Sequence, residues 1–412
     1  MPMNTIKAVC RNPEKYEKSP LLSCFTSEEA QKARRFHSTI PGYCPTPLVS
    51  LPNLAKSLGT GAVYVKDESF RFGLNAFKSL GSSYCMGSLI ADKLGADTDS
   101  MPFLRMGSDE VKEALGPLTF VTATDGNHGR GVAWSAKMLG QKSVVYMPEG
   151  TANERLENIR TLGAEAEILD MNYDGCVKYA AESARKNGWL LIQDTAWEGY
   201  EEIPLKIMQG YMTMALEAHL QLKKTRPTHI FLQAGVGSMA GAESAFFANL
   251  YPADEKPVII IAEPHNAACI FKTAQADDGA LHFTDGKMDT MMAGLACGRP
   301  CTLAWDILRC TADCFVSIPD ETAAKGMRVL GNPLRGDERI ISGESGAAGF
   351  GLAFEILDNE ELLWLKKSLK IDESSRIVCF STEGDTDRAN YRKTVWDGYC
   401  GMPQKSQGKE TS

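Results

Sequence analysis

The sequence lacks several things, and each absence excludes a class of protein. No apolar run approaches the ~20 residues that a membrane-crossing helix needs, so no membrane partner is expected. No long basic run or RNA-binding aromatic signature occurs, and the net charge is −8, from 44 basic and 52 acidic residues. Nucleic acid is therefore not an expected partner. The start, MPMNTIKAVCRNPEKYEK, is polar and has no signal-peptide core, which predicts a cytoplasmic protein. Neither internal repeats nor low-complexity segments are present. The twelve cysteines include no tight C-x2-C knuckle: Cys297 and Cys301 are four apart, as are Cys310 and Cys314. Zinc sites use closer spacing in short loops, and Cys314 instead opens an apolar strand, so no metal is expected. Reduced, mostly buried thiols are the expectation, with a Cys269–Cys297 or Cys297–Cys301 link left open.

What is present is an ordinary globular composition, 43% hydrophobic and 23% charged over 412 residues, enough for two domains with large cores. Residues 1–45 read as an arm with a short helix at 28–36, and 97–108 as a surface loop. From residue 119 onward, strand patterns at 119–124, 143–147, 166–169 and 190–193 alternate with helical ones. A second set follows, with strands at 229–233, 258–262, 315–318 and 377–380. This alternation predicts wound α/β architecture with mainly parallel sheets.

The chain is organised around Asn75-Ala76-Phe77-Lys78. It follows the strand pattern 62–66 and opens a helical one, with Asn75 as N-cap and Lys78 as third helical residue. A helix N-terminus carries roughly half a positive charge and disfavours a cation. Lys78 is therefore either a surface lysine at a poor site or an amine kept neutral by burial and a positive field. Such an amine forms Schiff bases.

Three loops at strand ends bear on that choice, since ligands of open parallel sheets sit beyond the carboxyl ends of strands. TATDGNHGRG (122–131) sets Asn127 between glycines at a helix start, where backbone amides hold an anion. It also reads as a plain turn, and Asp125 argues against a site for anions alone. QAGVGSMAG (233–241) suits a phosphate cradle. Its third glycine falls one place late for a dinucleotide fingerprint, and the GK[ST] of a P-loop is missing. Ser381-Thr382-Glu383-Gly384-Asp385 offers hydroxyls to a neutral ring nitrogen, or is a capped turn. A reactive lysine, an anion turn, a phosphate cradle and a hydroxyl turn, in that order, suggest pyridoxal phosphate (PLP).

These motifs resemble those of the fold-type II PLP enzymes, the tryptophan synthase β/threonine dehydratase group, over about 45–400. Within that group NAFKSLGS, TATDGNHGRGVAW, QDTAWEGY, IPLKIMQGY and STEGDTD are most similar to the diaminopropionate ammonia-lyase branch. The resemblance implies two three-layer α/β domains. The large PLP-binding domain would comprise 1–71 plus 193–412, and the small domain 72–192, with 402–412 a disordered tail. It implies that Lys78 bonds the cofactor, Asn127 lies beside its phenolic oxygen, and Gly235, Val236, Gly237, Ser238 and Met239 cradle the phosphate. Ser381 or Thr382 would face the ring nitrogen, with Glu344 nearby. Thr124, Asp125, Gly126, Asn127, His128 and Asp194 would hold a small amino-acid substrate. Lys78, Asp125 and Asp194 would be catalytic, and the assembly a homodimer. Dehydratases of the group usually carry a small residue where Asp125 stands, which favours elimination of ammonia from 2,3-diaminopropionate. Lys78 and Asp125, on opposite faces of the cofactor, would each serve one enantiomer. The alternatives are a serine/threonine dehydratase, a β-replacement synthase and a non-catalytic PLP-binding protein.

Overall fold

The computed structural model describes residues 5–124 and 126–401. Asp125 and the tail 402–412, expected to be disordered, lie outside the described residues.

Among the described residues, eleven strands form two sheets. They are β1 (Lys7–Cys10), β2 (Leu48–Ser50), β3 (Ala62–Asp67), β4 (Thr119–Ala123), β5 (Lys142–Met147), β6 (Glu165–Ile168), β7 (Leu190–Leu191), β8 (His229–Gln233), β9 (Val258–Pro264), β10 (Cys314–Ile318) and β11 (Arg376–Ser381). The seven-stranded sheet has the order β1-β10-β9-β8-β11-β3-β2, and the four-stranded sheet β6-β5-β4-β7. All pairings in the smaller sheet are parallel. In the larger sheet only the edge strands β1 and β2 pair antiparallel. The strands β8, β10 and β11 have apolar middles and are buried along nearly their whole length, because helices cover both faces. The expected wound α/β architecture with mainly parallel sheets is what forms.

Two parts of the sequence reading need correction. The supposed surface loop 97–108 contains a turn of 3-10 helix and the helix Phe103–Met106, and both Phe103 and Met106 are fully buried. Its polar residues hid two apolar anchors. The N-terminal arm also supplies β1, whose four residues are too few and too exposed to show a period.

Close helix packing positions the lysine segment. The helix Ser79–Lys93 crosses the helix Glu202–Leu222 at two glycines. A Cβ on Gly81 would lie 2.5 Å from the Tyr211 ring, and one on Gly210 would lie 2.6 Å from the Leu80 carbonyl. Below this crossing, a buried ionic cluster ties β3 to the long helix. Glu217 accepts from Lys66 at 2.8 Å and from Arg71 at 2.7 Å, and Arg71 also pairs with Glu68 at 2.8 Å. Glu243, fully buried on the helix Ser238–Leu250, has no hydrogen-bond partner among the described residues on either carboxyl oxygen.

Candidate active site

One cavity of about 540 Å³ collects the carboxyl ends of strands from both sheets. Thr124 follows β4, Pro148 follows β5, Asp194 lies just beyond β7, Gly235 follows β8 and Thr382 follows β11. Parallel strands deliver their loops to one side, so chemistry scattered along the sequence converges there.

Lys78 does not sit in a first helical turn. The helix begins at Ser79 with Lys78 as its cap residue, and Asn75 is not an N-cap at all. Asn75 is left-handed, at φ 59°, a conformation that asparagine tolerates. Its side-chain amide donates to Asp385 at 3.0 Å. The segment pairs with the last strand-end loop instead: Phe77 N–H donates to the Thr382 carbonyl at 3.1 Å, Gly384 N–H to the Asn75 carbonyl at 3.0 Å, and Ala76 bridges Glu383. Gly384 is required, because a Cβ there would lie 2.0 Å from the Asn75 side-chain oxygen. From the other side, Gly131 lets the Asn127–Met138 helix come close, since its Cβ would be 3.1 Å from the Lys78 carbonyl carbon.

The Lys78 ammonium meets a carboxylate, not merely a helix field: its Nζ hydrogen-bonds Asp194 directly. Burial alone would raise the Asp194 carboxyl, but neighbouring His128 and Lys78 reverse that and hold it at about 2. Burial lowers His128 itself from its ordinary value. His128 Nε2 donates to the Ile192 carbonyl at 2.7 Å. Its Nδ1, 3.7 Å from Asp194, has no hydrogen-bond partner among the described residues. The anion turn is folded by Thr124, whose hydroxyl accepts from Gly126 N–H at 2.9 Å and Gly129 N–H at 3.0 Å.

Gly235, Val236, Gly237, Ser238 and Met239 all line the cavity. They open the Ser238–Leu250 helix with Gly237 at φ 97°, no side-chain cap and no acid in the first turn. The leading amides of a helix have no intrahelical partner, so this end is ready for an anion. The glycines are dictated by space as well as by φ. A Cβ on Gly237 would lie 2.6 Å from Ile270, and one on Gly235 would lie 3.1 Å from Cys297. Ser238 Oγ donates to the Asp194 backbone carbonyl at 2.6 Å, linking the cradle to the lysine's partner.

At the far end, Thr382 lines the cavity and its hydroxyl accepts from the Gln233 amide at 2.8 Å. Ser381 turns instead to Ser342 Oγ at 2.8 Å. Glu344 lies behind the cavity wall, where it accepts from Arg155 at 3.1 Å. Burial, reinforced by the Glu383 charge, pushes its carboxyl well up. Asp125, named from the sequence, lies outside the described residues. The sequence reading gave no role to Glu383, which proves to be the hub. It accepts from Asn127 and from Ser345 N–H, the latter at 3.0 Å, and its carbonyl accepts from Gly343 N–H at 2.9 Å. Only its place inside STEGD hinted at this. Arg155 and Tyr173, also in the lining, left no signal of their own.

An uncapped helix start fits a phosphate, a lysine amine on the same cavity fits an aldehyde, and Thr382 fits a ring nitrogen. Residues 39–382 match the family described as pyridoxal-phosphate dependent enzyme. Fold and site together define a PLP-dependent enzyme of fold type II. The chain is 49% identical over 389 residues to the diaminopropionate ammonia-lyase of Salmonella typhimurium, covering 93% of this chain and 96% of that one. It is 47% identical to the Escherichia coli K12 enzyme of the same name, covering 93% and 94%. The crystal structure of the E. coli enzyme in complex with D-serine superposes with a TM-score of 0.89 at 44% identity, covering 97% of this chain and 98% of that one. This chain belongs to the diaminopropionate ammonia-lyase family.

Proposed function

We infer that the protein converts 2,3-diaminopropionate and water to pyruvate and two molecules of ammonia by α,β-elimination. The observation that carries this reading is the Lys78–Asp194 pair beside an uncapped phosphate cradle, in a chain of this family.

Bound PLP supplies an electron sink for the α-carbon. The residues supply the rest. Lys78 would be the amine that bonds the aldehyde, and its Nζ would also take the proton from the substrate's α-carbon. Asp194, ionised and buried, holds that amine in place and attracts the substrate's second ammonium through a charge-assisted hydrogen bond. Residues 235–239 would hold the phosphate, Asn127 the phenolic oxygen, and Thr382, in preference to Ser381, the ring nitrogen. The 124–128 turn receives the substrate carboxylate. Asp125, as the family resemblance implies, would serve as the second base, so both enantiomers would be substrates. Glu344 and Arg155 brace the wall.

The reading includes a large domain of 1–71 plus 193–412 and a small one of 72–192. The sheet membership of the strands supports this, since β4 to β7 all fall within 72–192. It also includes a homodimer in the cytoplasm. Large apolar side chains left exposed, such as Phe70 at 65% and Trp396 at 69%, supply candidate interface surface. Among the described residues, no helix is long and apolar enough to cross a membrane.

The deciding experiment is a substrate panel on purified, PLP-loaded enzyme, reading pyruvate from D- and L-diaminopropionate against serine and threonine. Faster turnover of either hydroxy amino acid would move the assignment to a dehydratase.

A further inference from the structure

Far from the cavity, Cys10 on β1 and Cys314 on β10 stand directly opposite each other across an antiparallel pair. We propose that these two thiols form a reversible disulfide that staples the N-terminal edge strand to the large sheet when a small-molecule disulfide is present.

Three observations carry this. The sulfurs are 2.7 Å apart, against ~2.05 Å in a disulfide. The neighbouring pair is hydrogen-bonded, with Arg11 N–H donating to the Asp313 carbonyl at 2.8 Å. By the alternation of antiparallel ladders, Cys10 and Cys314 are then a non-hydrogen-bonded pair, with Cα atoms ~4.5 Å apart. That spacing lies within the range a disulfide spans. The partners are also held in register. Arg11 pairs with Asp277 at 2.6 Å and stacks on Tyr16 at 3.9 Å, and Tyr16 in turn reaches Asp277 at 2.9 Å.

The two thiols differ in a way that sets the order of events. Cys10 is exposed and Cys314 buried. The hydrogen bond from Cys314 holds Cys10 below the usual thiol range, so Cys10 is the attacking thiolate. It displaces one thiol from the small disulfide and forms a mixed disulfide. Cys314 loses its proton to solvent, attacks the Cys10 sulfur and displaces the second thiol. The protein loses two protons and two electrons, and one small disulfide takes them up to become two thiols.

The test uses the PLP-loaded full chain treated with oxidised glutathione, then alkylated and mapped by mass spectrometry. A cross-linked peptide containing Cys10 and Cys314 is expected, together with a loss of two titratable thiols that dithiothreitol restores. Cys10→Ser, at an exposed position that leaves the core intact, should abolish both signals. Recovery of Cys10 as a free thiol or as its glutathione adduct would overturn the proposal. So would a two-thiol loss that persists in Cys10→Ser.

Discussion

Asp194 holds Lys78 by a direct carboxylate–ammonium contact inside the cavity, and it does so from just beyond the C-terminal end of β7. If the carboxylate orients the amine and draws in a cationic substrate, Asp194→Asn keeps the shape and loses the charge. The variant should retain PLP, trapped on Lys78 by borohydride, while kcat/KM falls about 10²–10⁴-fold. Unchanged kinetics would remove Asp194 from the mechanism and leave it a structural cap.

The cradle can be tested apart from the chemistry. Gly237→Ala must adopt φ 97° and push against Ile270. A left-handed alanine costs roughly 1–2 kcal/mol, so PLP should bind about tenfold more weakly or worse. Fluorescence titration of the apoenzyme reads this directly, and wild-type affinity would mean the phosphate sits elsewhere.

Asp125 stands where the family resemblance implies a small residue in the dehydratases. Asp125→Asn is expected to depress turnover of one enantiomer of diaminopropionate by at least ~10²-fold and to spare the other. Separate assays with pure D and L substrate decide it, and equal losses would end the two-base scheme.

Two buried glutamates should bend the dependence of stability on pH in opposite directions. Burial alone would raise Glu217, but the Arg71 and Lys66 charges hold it below its usual 4.5. Its contribution is therefore present above pH 4.5 and is lost as the pH falls through the lower folded value. Glu217→Ala strips buried Lys66 of its carboxylate partner and leaves Arg71 with Glu68 alone, and should cost about 3–5 kcal/mol near neutrality. Glu243 is shifted the other way, well above 4.5, chiefly by burial. The folded chain keeps a proton that the unfolded chain releases, so stability declines as pH rises above 4.5. Glu243→Gln should thus melt higher than wild type at neutral and alkaline pH, with the difference vanishing in acid. Calorimetry across pH checks both, and a Glu243→Gln difference that does not grow with pH would contradict the sign.

Much of this was legible in the sequence for stated reasons. Strands β8 to β11 are apolar runs bounded by turn residues, and helix ends carry glycines such as Gly188, which caps its helix in the left-handed form. The glycine loop and Lys78 stood out because each is expensive unless it binds something. What stayed hidden was set by tertiary contact. Asn75 has the chemistry of an N-cap, yet Gly384 packs against it and the last loop captures its amide, so propensity lost to pairing. Ser381 and Thr382 are adjacent and chemically similar. Only the pleat, which sends neighbouring side chains to opposite faces, turns one to Ser342 and the other into the cavity.

In the large sheet, β11 lies between β8 and β3, although it is the last strand of the chain. During synthesis from the N-terminus, these two neighbours wait with unpaired edges until residues 376–381 leave the ribosome. A product truncated before that point would expose two adhesive strand edges and would lack Thr382 and Glu383. Termination errors should therefore yield aggregates, not partially active enzyme.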